Sequence, residues 1–196
     1  MEIPMRARNT MLGLIVICLT ALPVAGCLGP SGTTTAEKRT AVHTMRTETL
    51  AKLYEIHPSA RQEIGKAAGY GVFSNVGVNL ILLSAGTGWG VVRDNATGED
   101  VHMKMVSGGV GLGLGAKDFR GVFVFTTKEA LTRFVEDGWD ASGQADATAK
   151  SGEKGGAYAG AIDVAPGIKL YQITEHGLAL QATIQGTKYW RDDDLS

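Results

Sequence analysis

A run of alternating glycines, "GGVGLGLGAKDF", constrains the fold of this chain more than any other stretch. Glycine occupies every second position across residues 109–115, with valine or leucine between. A period of two is the period of a β-strand, whose successive side chains point to opposite faces. One face of such a strand is bare backbone, so another strand or a helix can approach it closely. We therefore predict a strand here, and the glycines of residues 86–90 around Trp89 repeat the pattern.

The glycine run also resembles a nucleotide-binding loop in composition, but its surroundings argue against that function. A phosphate-binding loop needs a lysine followed by serine or threonine at the start of a helix. Here Lys117 follows an alanine and precedes Asp118, and the next residues, "FRGVFVF", have the pattern of another strand. We therefore expect no nucleotide site in this stretch.

Strands are expected over most of the chain after residue 68, where 22 of the 27 glycines lie. Short β-branched or alternating runs such as "GWGVV", "GVFVF" and "IKLYQIT" are bounded there by turn residues. "RDNATGED", with Gly98, predicts a hairpin loop, and a second turn is expected at residues 175–177 before an alternating strand over residues 178–185. Residues 141–160 are nearly free of large apolar side chains and are expected to be part strand and part loop.

Two helices are expected before the strands and one among them. Residues with helical spacing precede the break at Pro58; they are Val42, Met45, Leu53 and Ile56. Ser59 with Gln62 predicts a capping box for a shorter second helix. Thr126 with Glu129 predicts another for the internal helix, which Gly138 would end. The fold class expected is α+β, a predominantly antiparallel sheet or barrel-like sandwich with N-terminal helices and one internal helix.

The first residues have the pattern of a secretory signal. Arg6 and Arg8 precede an apolar run at residues 11–22, which is shorter than the ~20 residues that a membrane-spanning helix needs. The run leads to "VAGC", which resembles the bacterial lipobox, so residues 1–26 are predicted to be removed and Cys27 to be acylated. Residues 27–35 would form a flexible tether, and residues 36–196 a single domain.

This resemblance to lipoproteins also predicts a location. Two or more acyl chains anchor a protein stably to a membrane. Leu28 follows the cysteine where an inner-membrane retention signal would carry aspartate, which favours the outer membrane and its periplasmic side. A lipid-anchored protein of the bacterial cell envelope is therefore expected.

Composition excludes some functions and leaves little sign of others. The formal net charge of −1 argues against nucleic-acid binding, which demands a basic excess. Cys18 would leave with the signal peptide and Cys27 would carry lipid, so no intrachain disulfide is expected. The four histidines show no metal-ligand spacing, and no nucleophile motif surrounds Ser107. We expect no catalytic site, no metal and no cofactor.

The order of several motifs resembles the SYLF domain family. These are "IGKAAGYGVFSNVG", "GTGWGVV", "GGVGLGLGAKDFRGVFVFTTKEALTRF" and "APGIKLYQITEHGLALQATIQGTKY", which together cover most of residues 60–190. Eukaryotic members are associated with phosphoinositide and actin binding, and bacterial lipoproteins also belong to the family. A protein of the periplasm meets neither of those two ligands, so they do not transfer to this chain.

The resemblance implies a non-enzymatic domain that binds lipid, with anionic head groups as the suspected ligand. The candidate contact residues are Arg61, Lys66, Lys104, Lys117 and Arg120. The alternative is a structural or protein-interaction component of the envelope, whose partner would be another envelope protein. An unrecognised hydrolase is a third hypothesis, which would require a buried cluster of serine, histidine and aspartate.

Overall fold

In the computed structural model, one antiparallel sheet is curled into a half-barrel and packed with three helices. The structure describes residues 29–140, 160–174, 177–178 and 186–196. Within them, seven strands form the sheet, so the protein has an α+β fold with mostly β content. The predicted fold class is confirmed.

Two strands of 26 residues each dominate the sheet. Strand β1 (Gly69–Asp94) pairs with β2 (Asp100–Phe125) from end to end, with a register shift between Ile81 and Leu83. The alternating glycines lie within β2, which confirms that they form a strand. The expectation of a separate strand at "FRGVFVF" is wrong, because these residues continue β2 without a break. The connection between β1 and β2 is the predicted hairpin loop, in which Gly98 adopts a φ of 73°. That left-handed conformation favours glycine.

Five shorter strands complete the sheet. They are β3 (Trp139–Asp140), β4 (Ile162–Ala165), β5 (Ile168–Thr174), β6 (Gly177–Leu178) and β7 (Thr187–Arg191). Strand β2 is central because it pairs with β5 through its last residues and with β7 through residues 103–107. The order across the sheet is β3-β7-β2-β5-β4, with β1 beside β2 and β6 beside β5.

Glycines in β1 let the two ends of this strand lie against each other. A Cβ atom added at Gly88 would overlap the carbonyl oxygen of Ser74, and one at Gly90 would overlap that of Val72. Both carbonyls belong to the first residues of β1, so the long hairpin is folded back on itself. The close backbone approach expected at residues 86–90 is confirmed.

The first helix, α1 (Thr35–Ile56), begins with a complete capping box. The hydroxyl of Thr34 accepts a hydrogen bond from the Glu37 backbone, and the Glu37 side chain reaches back to the Thr34 backbone. Val42, Met45 and Leu53 are buried as predicted. Ile56 is not, because it lies at the last residue of the helix and is 38% exposed.

Both predicted capping boxes are wrong in detail. Helix α2 (Ala60–Lys66) follows Ser59, whose hydroxyl makes no capping bond and instead lies 3.0 Å from His57 Nε2. Helix α3 (Lys128–Glu136) is capped by Thr127 rather than by Thr126. Gly138 follows α3 with a φ of 71°, which confirms the predicted helix end.

The helices cover two faces of the sheet and create separate cores. On one face, α3 packs on an aromatic cluster; its members are Phe73, Phe123, Phe125, Phe134, Trp139 and Tyr189. On the other, α1 and α2 pack through Met45, Leu53 and Ile64 on Val122 and Tyr171 of the sheet. A small third cluster joins Val42, Val91 and Leu195.

Several expectations lie outside the described residues. They are the signal peptide with Cys27, the segment at residues 141–159, the turn at residues 175–176, the alternation over residues 179–185 and the side chain of Lys117. Among the residues that are described, no helix has the length and hydropathy to cross a membrane.

Candidate functional site

Exposed basic and apolar side chains occur near the end of α1 and along α2. We call this region the α1–α2 corner and define it by Tyr54, Ile56, Arg61 and Lys66. Arg61 and Lys66 are exposed on α2, and the Arg61 guanidinium carbon lies 4.3 Å from the centre of the Tyr54 ring. Such a cation–π contact holds a guanidinium in place without neutralising its charge. Partial burial raises the pKa of Tyr54, so its hydroxyl stays neutral.

The short second helix explains why these cations point outward. Pro58 ends α1, and α2 then buries Ala60 and Ile64 against the sheet. With the small or apolar side chains of Ala60 and Ile64 packed inward, the long basic side chains of Arg61 and Lys66 extend to solvent, and both are exposed.

The carboxylate of Glu63, on the same helix, is engaged elsewhere. It accepts hydrogen bonds from the Tyr171 hydroxyl and from Lys169 Nζ, the latter at 2.9 Å. Burial alone would raise the pKa of Glu63, but the bonds from Tyr171 and Lys169 outweigh it and lower that pKa. Glu63 thus fastens α2 to β5 as an anion whose charge is already matched by Lys169.

An apolar side chain lies at the same corner. Ile56 ends α1 four residues before α2 begins, and it belongs to the few large apolar residues that are exposed in the described part of the chain. An exposed aliphatic group and exposed cations in one helical segment are a combination that also occurs on surfaces that lie at a membrane interface.

The other predicted contact residues do not join this corner. Lys104 of β2 is bound by Asp192 at 2.9 Å and Asp194 at 2.6 Å, and those hydrogen bonds raise its pKa. Arg120 donates to the Ser74 hydroxyl across the β1–β2 ladder. Lys117 pairs in the backbone with Gly77. Arg61 and Lys66 share one short helix, whereas the remaining three are spread along β2.

The described residues give little evidence of a catalytic site or a metal site. Those residues contain no group of three or more histidine, cysteine or acidic side chains that could hold a metal ion. Ser59 and His57 form a hydrogen-bonded pair, but Ser59 is exposed. An exposed hydroxyl lacks the water-excluded setting in which a serine nucleophile acts.

Sequence reasoning found the two cations of the corner but missed Tyr54 and Ile56. Ile56 shares the helical spacing of Val42, Met45 and Leu53, which are buried, so spacing alone does not distinguish it as exposed. Tyr54 lies seven residues before Arg61, with Pro58 between them, so no single helical period connects the two. The break at Pro58 was the available signal, since it places the end of α1 beside the start of α2.

Comparison with known proteins finds one curated relative with strong similarity. Beta cell expansion factor A of Aeromonas veronii is 37% identical over 165 residues, which cover 83% of this chain and 60% of the relative. The chain therefore spans about 60% of the length of this relative. No family model matches the sequence.

Proposed function

We propose that this protein is a lipid-anchored component of the bacterial envelope whose domain binds anionic lipid head groups through the α1–α2 corner, without enzymatic activity. The observation that carries the proposal is the pair Arg61 and Lys66. Both are exposed, and in the described part of the structure neither forms an ion pair with a carboxylate. Each is therefore available to a phosphate group.

The contrast with other cations of the domain supports this choice. Many of them are matched by carboxylates; examples are Arg46, Arg93, Lys104, Lys128, Lys169, Lys188 and Arg191. A cation that is paired with a carboxylate must break that ion pair before it can bind a phosphate. The exchange of one anion for another gains little free energy. Arg61 and Lys66 have no carboxylate partner among the described residues that would compete with a phosphate.

The expected strength of this contact is modest. A basic side chain near an anionic membrane surface contributes about 1 kcal/mol, so two contribute about 2 kcal/mol, or roughly 30-fold in affinity. Insertion of the Ile56 side chain adds to this attraction. Without an anchor, such a contact gives weak binding that is measurable at low salt with an excess of lipid.

An acyl anchor would make the weak contact effective. If Cys27 carries lipid, the domain is tethered to the membrane by a few residues, and the local concentration of head groups becomes high. The "VAGC" sequence and Leu28 support an anchor in the outer membrane that faces the periplasm. In this proposal the anchor supplies attachment and the corner sets the orientation of the domain.

A second candidate function is binding to another envelope protein. Val106 and Trp190 are 44% and 42% exposed on the neighbouring strands β2 and β7. Aromatic side chains are enriched at protein interfaces, and the exposed Val106 adds apolar area to that of Trp190. This surface is separate from the basic corner.

Vesicle flotation of paired charge variants tests the proposal. The protein comprising residues 31–196 is mixed with liposomes that contain an anionic phospholipid. At low salt, we expect the double variant Arg61→Gln, Lys66→Gln to have a partition coefficient onto the vesicles about 30-fold lower than that of wild type, because each charge contributes about 1 kcal/mol. The control, Arg133→Gln with Lys188→Gln, removes two exposed charges from α3 and β7.

The two double variants separate the local contact from net charge. Equal losses for both would show that only overall charge matters, and the corner would be rejected as the binding site. If neither variant changed flotation, the head-group proposal would fail, and the surface at Val106 and Trp190 would become the better candidate.

A further inference from the structure

A cluster of charged and imidazole groups fastens α1 to the hairpin end of the sheet. We call it the histidine clasp and define it by His43 and Arg46 of α1, Arg93 of β1, and Asp100 and His102 of β2. The Asp100 carboxylate accepts hydrogen bonds from Arg46 Nη1 at 2.9 Å, from Arg93 Nε at 2.7 Å and from Arg93 Nη2 at 2.6 Å. Three elements thus meet at one carboxylate.

Two imidazole rings meet beside this carboxylate. The rings of His43 and His102 contact edge to face, with their centres 5.5 Å apart. His102 is only 6% exposed, and its Nε2 atom has no hydrogen-bond partner among the described residues. The His43 side chain is 37% exposed, but its Nδ1 atom is buried, has no hydrogen-bond partner in the described part of the chain and lies 3.7 Å from Asp100 Oδ2.

The charges that face the rings are mainly positive. Arg39 and Arg46 approach from α1 and Arg93 from β1, whereas the facing anions are Asp100 of β2 and Asp192 after β7. Arg39 also donates to the backbone oxygen of Leu195 at 2.8 Å, which ties the C-terminal residues to α1. Asp100 is already occupied by two guanidinium groups, so it has little capacity left for an imidazolium.

We propose that His43 and His102 form an acid-sensitive switch, in which protonation of the paired rings loosens α1 from the sheet. Two added charges would lie 5.5 Å apart beside three arginines. Repulsion at that distance in a partly buried site is relieved when the helix moves away. The proposal concerns the attachment of α1 and does not depend on lipid binding at the α1–α2 corner.

The direction of the pH effect follows from linkage. Burial is the main cause that lowers the pKa of both histidines below the ordinary 6.5, and the neighbouring cations add to it. The folded state therefore binds fewer protons than the unfolded state as the pH falls through 6.5. The stability that the neutral rings contribute is complete above pH 6.5 and is lost below it.

Loosening of α1 would uncover apolar surface. Val42 of α1 packs with Val91 of β1 and Leu195, and Trp89 is packed partly buried against them. Once α1 moved away, these side chains would be accessible to a membrane or to another protein. Acidification would thus expose an apolar surface.

Hydrogen exchange of the full chain, purified in a mild detergent, tests the switch. Exchange is measured between pH 7.5 and 5 and corrected for the intrinsic rate at each pH. We expect peptides from α1 to lose protection severalfold on acidification, while peptides from α3 change little. The double variant His43→Gln, His102→Gln should abolish this pH dependence, and the control His57→Gln should keep it.

Each outcome decides the proposal. Unchanged protection of α1 down to pH 5, or the same pH dependence in the double variant, would overturn it. If the double variant does not fold, NMR titration of the wild-type imidazole protons replaces it. Titration of both His43 and His102 below pH 6.5, together with shifts of α1 amides over the same range, supports the switch, and titration of either at or above 6.5 rejects it.

Discussion

At the scale of single residues, glycine determines how the long hairpin folds. Gly88 and Gly90 are the positions where the backbone of one part of β1 lies directly against the carbonyl groups of another. Neither has a positive φ, so the requirement is for space and not for backbone conformation. A side chain at either position would have to push two segments of the sheet apart.

Substitution of Gly88 by alanine tests this requirement. The new Cβ atom would overlap the Ser74 carbonyl oxygen and lie 2.8 Å from Met105 Cγ, so we expect a loss of about 1–3 kcal/mol in the free energy of unfolding. Urea denaturation measures it. Gly65→Ala is the control, because nothing lies within 4 Å of that site in α2, and alanine should stabilise the helix. Equal stability of Gly88→Ala and wild type would refute the close approach.

At the scale of elements, sequence patterns predicted strands and helices well but their ends poorly. The alternation in residues 109–115 and the helical spacing of Val42, Met45 and Leu53 depend on local geometry, which the sequence encodes directly. Capping depends on which of several adjacent hydroxyls reaches the helix. In α3 the N-cap residue is Thr127 and not its neighbour Thr126.

The candidate site was predictable only in part, for a related reason. Exposed charges on a short helix, Arg61 and Lys66, could be read from the sequence. Whether a cation has an acidic partner depends on tertiary contacts, and those of Lys104 with Asp192 and Asp194 span about 90 residues. The clasp likewise joins His43 to His102 across two elements.

The capping box of α1 provides a prediction for that helix. Thr34→Ala removes the side-chain oxygen that accepts from the Glu37 backbone, so we expect the free energy of unfolding to fall by about 1 kcal/mol. Hydrogen exchange of the first turn of α1 should increase. Thr33→Ala is the comparison: the Thr33 hydroxyl donates to the Glu37 carboxylate at 2.8 Å but does not accept from a helix N–H, so we expect a smaller loss. A larger effect at Thr33 would contradict the assignment of the cap.

Asp100 provides a second prediction, because it joins α1 to both long strands. Asp100→Asn would leave the guanidinium groups of Arg46 and Arg93 without their anion, and we expect a loss of about 2–3 kcal/mol, below the value for a fully buried pair. Burial opposes ionisation, but bonds from Arg93 and Arg46 outweigh it and lower the pKa of Asp100.

The pH dependence of the Asp100 variant has a defined sign. The contribution of a carboxylate with a lowered pKa is present above its ordinary value of 3.8 and is lost as the pH falls through its folded value. Thermal denaturation of wild type and Asp100→Asn should therefore differ most near neutral pH and converge in strong acid. A constant difference at all pH values would show that the variant acts through packing alone.

At the scale of the whole molecule, the account describes a small tethered domain that meets a membrane with one corner. Packing on Val122 and Tyr171 of the sheet fixes the positions of α1 and α2, and Arg61 and Lys66 of α2 are exposed. In this proposal, a tether at residues 27–35 would limit how far the domain can move from the lipid surface. If the corner sets the orientation of the domain, the domain must recognise anionic surfaces without the anchor.

The most direct measurement is flotation of residues 31–196 with neutral and anionic vesicles at low and high salt. The account predicts binding to the anionic vesicles at low salt, little binding to neutral ones, and loss of binding at high salt because ions screen the basic corner. Absence of binding to either vesicle, or equal binding that salt does not change, would contradict it.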